Sequence, residues 1–135
     1  MMKVIIDTNF LLLPGNLHID IFQGILDAAD DAIELIILQN VVDELQDLST
    51  RESLSLKDRK SAGIGLSLIK QKNLKIEHGS NEHTDNVILM KALEFKKQGI
   101  SSAIATIDKE LISRALSSEV QVFALRQKKK ILLLK

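Results

Sequence analysis

Cysteine, tryptophan and tyrosine are all missing from this chain, and proline occurs once, at position 14. Without cysteine there are no disulfides, no thiolate zinc ligands and no cysteine nucleophile, so any metal must be held by oxygen or imidazole. The same absence fits a reducing compartment. Four phenylalanines are the whole aromatic complement, which makes the core aliphatic and leaves little beyond Phe10 for stacking bases. No apolar run reaches the ~20 residues of a membrane-spanning helix. Asp7 also interrupts the apolar start Met1-Met2-Lys3-Val4-Ile5-Ile6 where a signal peptide would continue, so a cytoplasmic protein is expected. An excess of one charge is missing too: 18 basic and 18 acidic side chains cancel. The global field therefore carries no strongly basic signature, and any nucleic-acid contact has to come from local patches. Gly-x-Gly-x-x-Gly and the Walker lysine motif are absent as well, which removes support for a nucleotide cradle.

What is there is a chain of 135 residues with ordinary globular balance, long enough for one domain with a core, residues 1–135, and too short to imply two. Lys3 to Ile6 is a short β-branched run ending in the polar Asp7-Thr8-Asn9, a buried strand followed by a turn that closes at Pro14-Gly15. From Ile19, the residues Phe22, Ile25, Leu26 and Ala29 recur at helical spacing, and Glu34 to Leu38 forms a second strand. Asn40 is placed to cap a helix carrying Val41, Val42, Leu45 and Leu48. Ser49 to Lys60 is polar, carries no periodic pattern, and is expected to be mobile or peripheral. Ala62 to Lys72 reads as a helix and Leu74 to Glu77 as a third strand, followed by the loop Gly79-Ser80-Asn81. Thr84 is placed to cap a helix from Asp85 to Lys97 that Gly99 ends. Ser102 to Ile107 is a fourth strand, Asp108 opens a helix of Leu111, Ile112, Ala115 and Leu116, and Val120 to Leu125 is a fifth strand. Strands alternating with helices predict a three-layer α/β sandwich around a mainly parallel five-stranded sheet with right-handed crossovers.

Acids recur where such a sheet places its ligands. Asp7 follows the first strand and Asp108 the fourth, both at carboxyl ends. Asp85 opens its helix on the face of Ile88, Leu89 and Ala92, and Asp108 bears the same relation to Leu111, Ile112 and Ala115, so both are expected to face inward. Glu44 borders the Val41, Leu45, Leu48 stripe, whereas Asp43 lies on the polar face. Taken singly, Asp7, Asp85 and Asp108 are each explained as helix caps. Taken together, four carboxylates in one cleft raise one another's pKa and call for a cation. A hard divalent ion such as magnesium or manganese takes oxygen ligands and activates water, which suits phosphodiester hydrolysis.

Four segments carry a resemblance: Val4-Ile5-Ile6-Asp7-Thr8-Asn9, Val41-Val42-Asp43-Glu44-Leu45, Thr84-Asp85-Asn86-Val87-Ile88-Leu89, and Ala105-Thr106-Ile107-Asp108-Lys109-Glu110-Leu111. In these, and over nearly the whole chain, the sequence resembles the PIN-domain ribonucleases. The resemblance implies strand order 3-2-1-4-5, one or two magnesium or manganese ions, and hydrolysis of RNA. It puts catalytic and metal-binding acids at Asp7, Glu44, Asp85 and Asp108, with Asn9 and Thr106 as supporting polar residues. Many relatives carry a second acid beside the third; here Asn86 stands there, which weakens a five-acid, two-metal site. Asp7-Thr8-Asn9-Phe10-Leu11-Leu12, Pro14-Gly15 and Leu125-Arg126-Gln127-Lys128-Lys129 look most like archaeal relatives of the small-subunit-processome nuclease that processes rRNA. VapC-type toxins share the acids and the size, so an rRNA-processing enzyme with a ribosome-assembly partner and a toxin with an antitoxin partner both stand. A non-catalytic scaffold binding RNA or protein is the reading of another class. A phosphoacceptor receiver domain is disfavoured, because Thr8-Asn9 replaces the acidic pair expected at the first strand.

Arg51, Lys57, Arg59 and Lys60, and Arg126, Lys128, Lys129 and Lys130, are the candidate contacts to RNA phosphates, with a solvated face the equal alternative. His18, His78 and His83 lack ligand spacing and are expected in surface or capping roles, His83 being of interest for its nearness to Asp85. Apolar residues between Leu54 and Leu68 are expected either to pack on the chain's own sheet or to form a homodimer face.

Overall fold

The computed structural model describes residues 1–135. Val4, Ile5 and Ile6 are wholly buried in strand β1 (Met2–Ile6), as a continuous β-branched run is when helices cover both faces of a parallel sheet. β1 is followed by two short helices, α1 (Thr8–Leu11) and α2 (Leu13–Leu17), then by α3 (Ile21–Ala28) and strand β2 (Ile33–Leu38). Helices α4 (Gln39–Thr50) and α5 (Leu56–Gln71) lead to the short β3 (Lys75–Glu77). Helix α6 (Thr84–Lys97), β4 (Ser102–Ala105), α7 (Lys109–Ser117), β5 (Gln121–Arg126) and β6 (Lys130–Leu134) complete the chain. The strand order is β3-β2-β1-β4-β5-β6. The expected order of five parallel strands holds, and it differs from the 2-1-3-4-5 order of receiver domains. β1 lies at the centre, Val4 facing Leu35 of β2 and Ala103 of β4 in register. One core cluster of 32 apolar residues packs about it.

Four local expectations are corrected. The sheet has a sixth strand, β6, antiparallel to β5. Its turn has Gln127 and Lys128 at positive φ, closed by the Lys129 N–H donating to the Arg126 carbonyl at 3.1 Å. Pro14 and Gly15 lie inside α2 rather than in a turn, Pro14 near its start where its missing N–H costs nothing. Asn40 and Thr84 are not caps: the caps of α4 and α6 are Leu38 and His83, neither with a side-chain cap bond. Ser49 to Lys60 is not a patternless excursion, because it ends α4, makes a short turn and starts α5.

That helical hairpin has a defined place. β2 and β3 are parallel, so α4 leaves from the carboxyl edge of the sheet and α5 must bring the chain back to the opposite edge. Packing at Gly65 fixes the height: a β-carbon there would lie 2.8 Å from the Leu11 carbonyl oxygen in α1, and α1 starts at the carboxyl end of β1. The residues of α5 before Ser61, with the end of α4, therefore extend past the carboxyl edge as an arm. Ala62 and Ile69 are buried, Leu66 and Leu68 pack against the core, and Leu56 and Ile64 remain exposed. No helix is long and apolar enough to cross a membrane.

Candidate active site

β1 and β4 are neighbours whose following connections diverge, the switch point at which an open parallel sheet splays its loops. Asp7 sits there and is nearly inaccessible, 4% exposed. Its Oδ1 accepts the Thr8 N–H at 2.8 Å, capping α1, and its Oδ2 accepts the Thr106 hydroxyl at 2.7 Å. Thr106, fully buried just past β4, also receives the Asp108 N–H at 3.1 Å. Asn9 faces the same point, its Oδ1 accepting the Ile107 N–H at 3.2 Å and lying 3.4 Å from the Thr106 hydroxyl. One threonine and one asparagine thus tie the ends of β1 and β4 together.

Asp108 caps α7, its Oδ1 accepting the N–H groups of Glu110 and Leu111 at 2.9 and 3.2 Å. Asp7 and Asp108 therefore do act as caps, as the single-residue reading holds. Asp85 does not: it lies inside the first turn of α6, half-buried, with no hydrogen bond to either oxygen. Glu44, half-buried on α4, accepts the hydroxyl of Thr84, the residue before Asp85. Asp43 is exposed and is held by the Gln39 amide.

Burial pushes the Asp7 carboxyl from its ordinary 3.8 up to about 6, with the charges of Asp85 and Glu44 adding to the rise against the lowering hydrogen bonds from Thr106 and Thr8. Asp85 is raised by desolvation first and by Asp108 next, while His83 and Arg114 act against the rise. The four acids thus sense one another, and none of them is in an ion pair. In these positions no three of them, with or without a histidine, close tightly enough to grip an ion. The chemistry of the set nevertheless fits a hard divalent cation: all donors are carboxylate oxygens, none is neutralised by an ion pair, and the Asp85 oxygens accept no hydrogen bond.

The remaining expected residues lie apart from this centre. Arg51 pairs with Asp47, and Lys57 and Lys60 are exposed on the arm. Arg59 is half-buried there, with its Nε enclosed and without a partner. Arg126, Lys128, Lys129 and Lys130 are exposed at the β5–β6 turn; β5 runs parallel to β4, so this turn is on the acid-bearing edge. Phe10 is fully buried and cannot stack a base; the other three phenylalanines are buried too. His18 ends α2 in the left-handed conformation and His78 is an exposed loop residue. Thr84 as the partner of Glu44, and Arg114 as a cation near Asp85, escaped the sequence reading. Thr84 does carry a local signal, but at a helix start that signal indicates a cap.

Fold and site define an α/β protein with a four-acid cluster at the switch point of its sheet. A family profile described as a PIN-like domain matches residues 4–128, and the chain belongs to that family. It is 31% identical over 129 residues to a protein named ribonuclease VapC4 from Methanocaldococcus jannaschii, covering 96% of this chain and 94% of that one. Among solved structures it resembles the PIN domain endonuclease Utp24, with a TM-score of 0.76 and 22% identity, covering 97% of this chain and 90% of the other. A domain of a functionally unknown Methanocaldococcus jannaschii protein matches at TM-score 0.58 and 20% identity, covering 93% and 92% of the two chains.

Proposed function

We propose that the protein is a divalent-metal-dependent endoribonuclease whose active site is Asp7, Glu44, Asp85 and Asp108. The observation that carries this reading is the buried Asp7, raised to about 6 beside further carboxylates with no cation paired to any of them. Structural carboxylates are normally paired or solvated, so an uncompensated cluster at a ligand-binding edge marks a functional site. Membership of the PIN-like family and likeness to a relative named a ribonuclease support the same chemistry.

In this reading Asp7, Glu44, Asp85 and Asp108 hold one or two magnesium or manganese ions, which would supply Lewis-acid activation of the phosphodiester and of water. The chain's own residues supply the rest. Thr106 fixes Asp7 through Oδ2 and Asn9 braces Thr106, while Thr84 holds Glu44. The Asp85 oxygens accept no hydrogen bond and are open to a ligand, and a carboxylate of the set not engaged by the ion is placed to orient the attacking water or accept its proton. Arg51, Lys57, Arg59 and Lys60 on the arm, and Arg126, Lys128 and Lys129 at the β5–β6 turn, flank the acid edge and bind RNA phosphates. Asp7→Asn should abolish magnesium- or manganese-dependent cleavage while circular dichroism shows the fold intact; a folded variant that still cuts RNA at the parent rate refutes the assignment.

The biological role we infer is rRNA processing in the cytoplasm, with a ribosome-assembly partner. The full-length likeness to the protein named VapC4 favours a second reading, a toxin ribonuclease held by an antitoxin. A small open reading frame next to the gene whose product copurifies with and silences the enzyme would decide for the toxin. A non-catalytic scaffold requires that metal titration leave RNA uncut.

A further inference from the structure

Beside the acids, at the same edge of the sheet, lies a cleft of about 150 Å³ with no hydrophobic residue in its lining. It is formed where the start of α4 meets the loop between β3 and α6, and its lining includes Gln39, Asn40, His78, Ser80 and Asn81. Two hydrogen bonds, one helical turn apart, hold the loop to the helix. Asn40 Nδ2 donates to the Ser80 carbonyl at 2.8 Å, and Thr84 donates to Glu44. Gly79 is required for this approach, because a β-carbon there would overlap Asn40 Oδ1. The cleft is thus held by the same clip that places Glu44, one turn along α4, and it lies four residues ahead of Asp85 along the loop.

Resting on the ribonuclease reading above, we propose that this cleft is a nucleobase-recognition subsite for a nucleotide flanking the scissile phosphate. The lining contains amides, a hydroxyl and an imidazole, which offer donors and acceptors together, and its one carboxylate, Asp43, is already engaged by Gln39. It contains no lysine or arginine, so it does not suit a phosphate. A base edge needs mixed donors and acceptors and one planar surface. With every phenylalanine buried, His78 is the ring available in the cleft for stacking, and Asn81 supplies a free amide to the base edge.

The test is the distribution of cut sites made by the wild-type protein and by a His78→Ala/Asn81→Ala double variant. The substrate is single-stranded RNA of randomised sequence with magnesium or manganese, and the cut ends are sequenced. The wild type should enrich one base at a fixed distance from the cut. The double variant should lose that enrichment, with kcat/KM on the favoured sequence falling about tenfold, mainly through KM, as expected when one base edge goes unread. Both residues are exposed loop positions, so equal melting temperatures should accompany the change. An enrichment that persists in the double variant, or wild-type cutting without base preference, overturns the subsite and leaves the ribonuclease reading standing. No cutting of any RNA by the wild type overturns both.

Discussion

Asp7 is buried at a cost to stability, and its titration gives a sign that can be measured. Its folded pKa of about 6 lies above its ordinary 3.8. Between these values the native state holds a proton that the unfolded chain has released, and above about 6 it must hold a buried carboxylate instead. The contribution to stability is therefore greatest below pH 4, is lost as pH rises to about 6, and then levels off. Two pK units correspond to ~3 kcal/mol. Urea denaturation of the metal-free protein should show this decline, and Asp7→Asn should remove it while making the protein more stable than wild type at pH 7. Asp30 and Asp31, lowered by Lys135 and by the Ala32 N–H respectively, pull in the opposite direction, so the comparison has to be made between variant and parent. Thr106→Val is the companion experiment. It strands Asp7 Oδ2 and the Asp108 N–H together, which should cost about 1–3 kcal/mol and move the decline to higher pH. Thr106→Ser, keeping the hydroxyl, should restore both.

At the scale of elements, periodic segments were legible and packing-dependent ones were not. α6 and α7 follow from apolar spacing, and β1 from its β-branched run. The arm formed by α4 and α5 did not, because Leu54 and Leu56 are too sparse to mark a stripe; that segment is helical because α5 packs along α4 and against α2. β6 was hidden for a different reason. The β5–β6 turn spans three residues, Gln127 to Lys129, between the paired Arg126 and Lys130, and two successive positive-φ positions in a hairpin turn usually advertise themselves with Asn-Gly. Here Gln127 and Lys128 take those conformations instead, and Ile131 is buried against the core to hold the strand in place. Gln127→Asn/Lys128→Gly should relieve that strain and raise stability by about 1–2 kcal/mol, read from chemical denaturation. The same change removes a candidate phosphate ligand, so RNA affinity should fall as stability rises.

For the whole molecule, net charge is zero, so on the ribonuclease reading proposed above RNA is drawn by two local groups of cations, on the arm and at the β5–β6 turn. Binding of single-stranded RNA to Asp7→Asn protein should weaken steeply with salt. Replacing Arg51, Lys57 and Lys60 by glutamine should reduce the log–log slope by about 0.7 for each phosphate that is no longer neutralised. An unchanged slope in that triple variant removes the arm from the binding surface. What the sequence by itself determined was local: strand and helix alternation, the order of the acids, and the positions of Asp7 and Asp108 just past strand ends, because each is written in residues a few places apart. The tertiary structure decided what depends on distant pairs: Thr106 on Asp7 across 99 positions, Thr84 on Glu44 across 40, and the Asn40–Ser80 clip across another 40. Only the folded chain, with β1 beside β4 and α4 tied to α6, brings four separate acids within one another's field, and burial at the β1–β4 seam is what moves Asp7 away from an ordinary carboxylate.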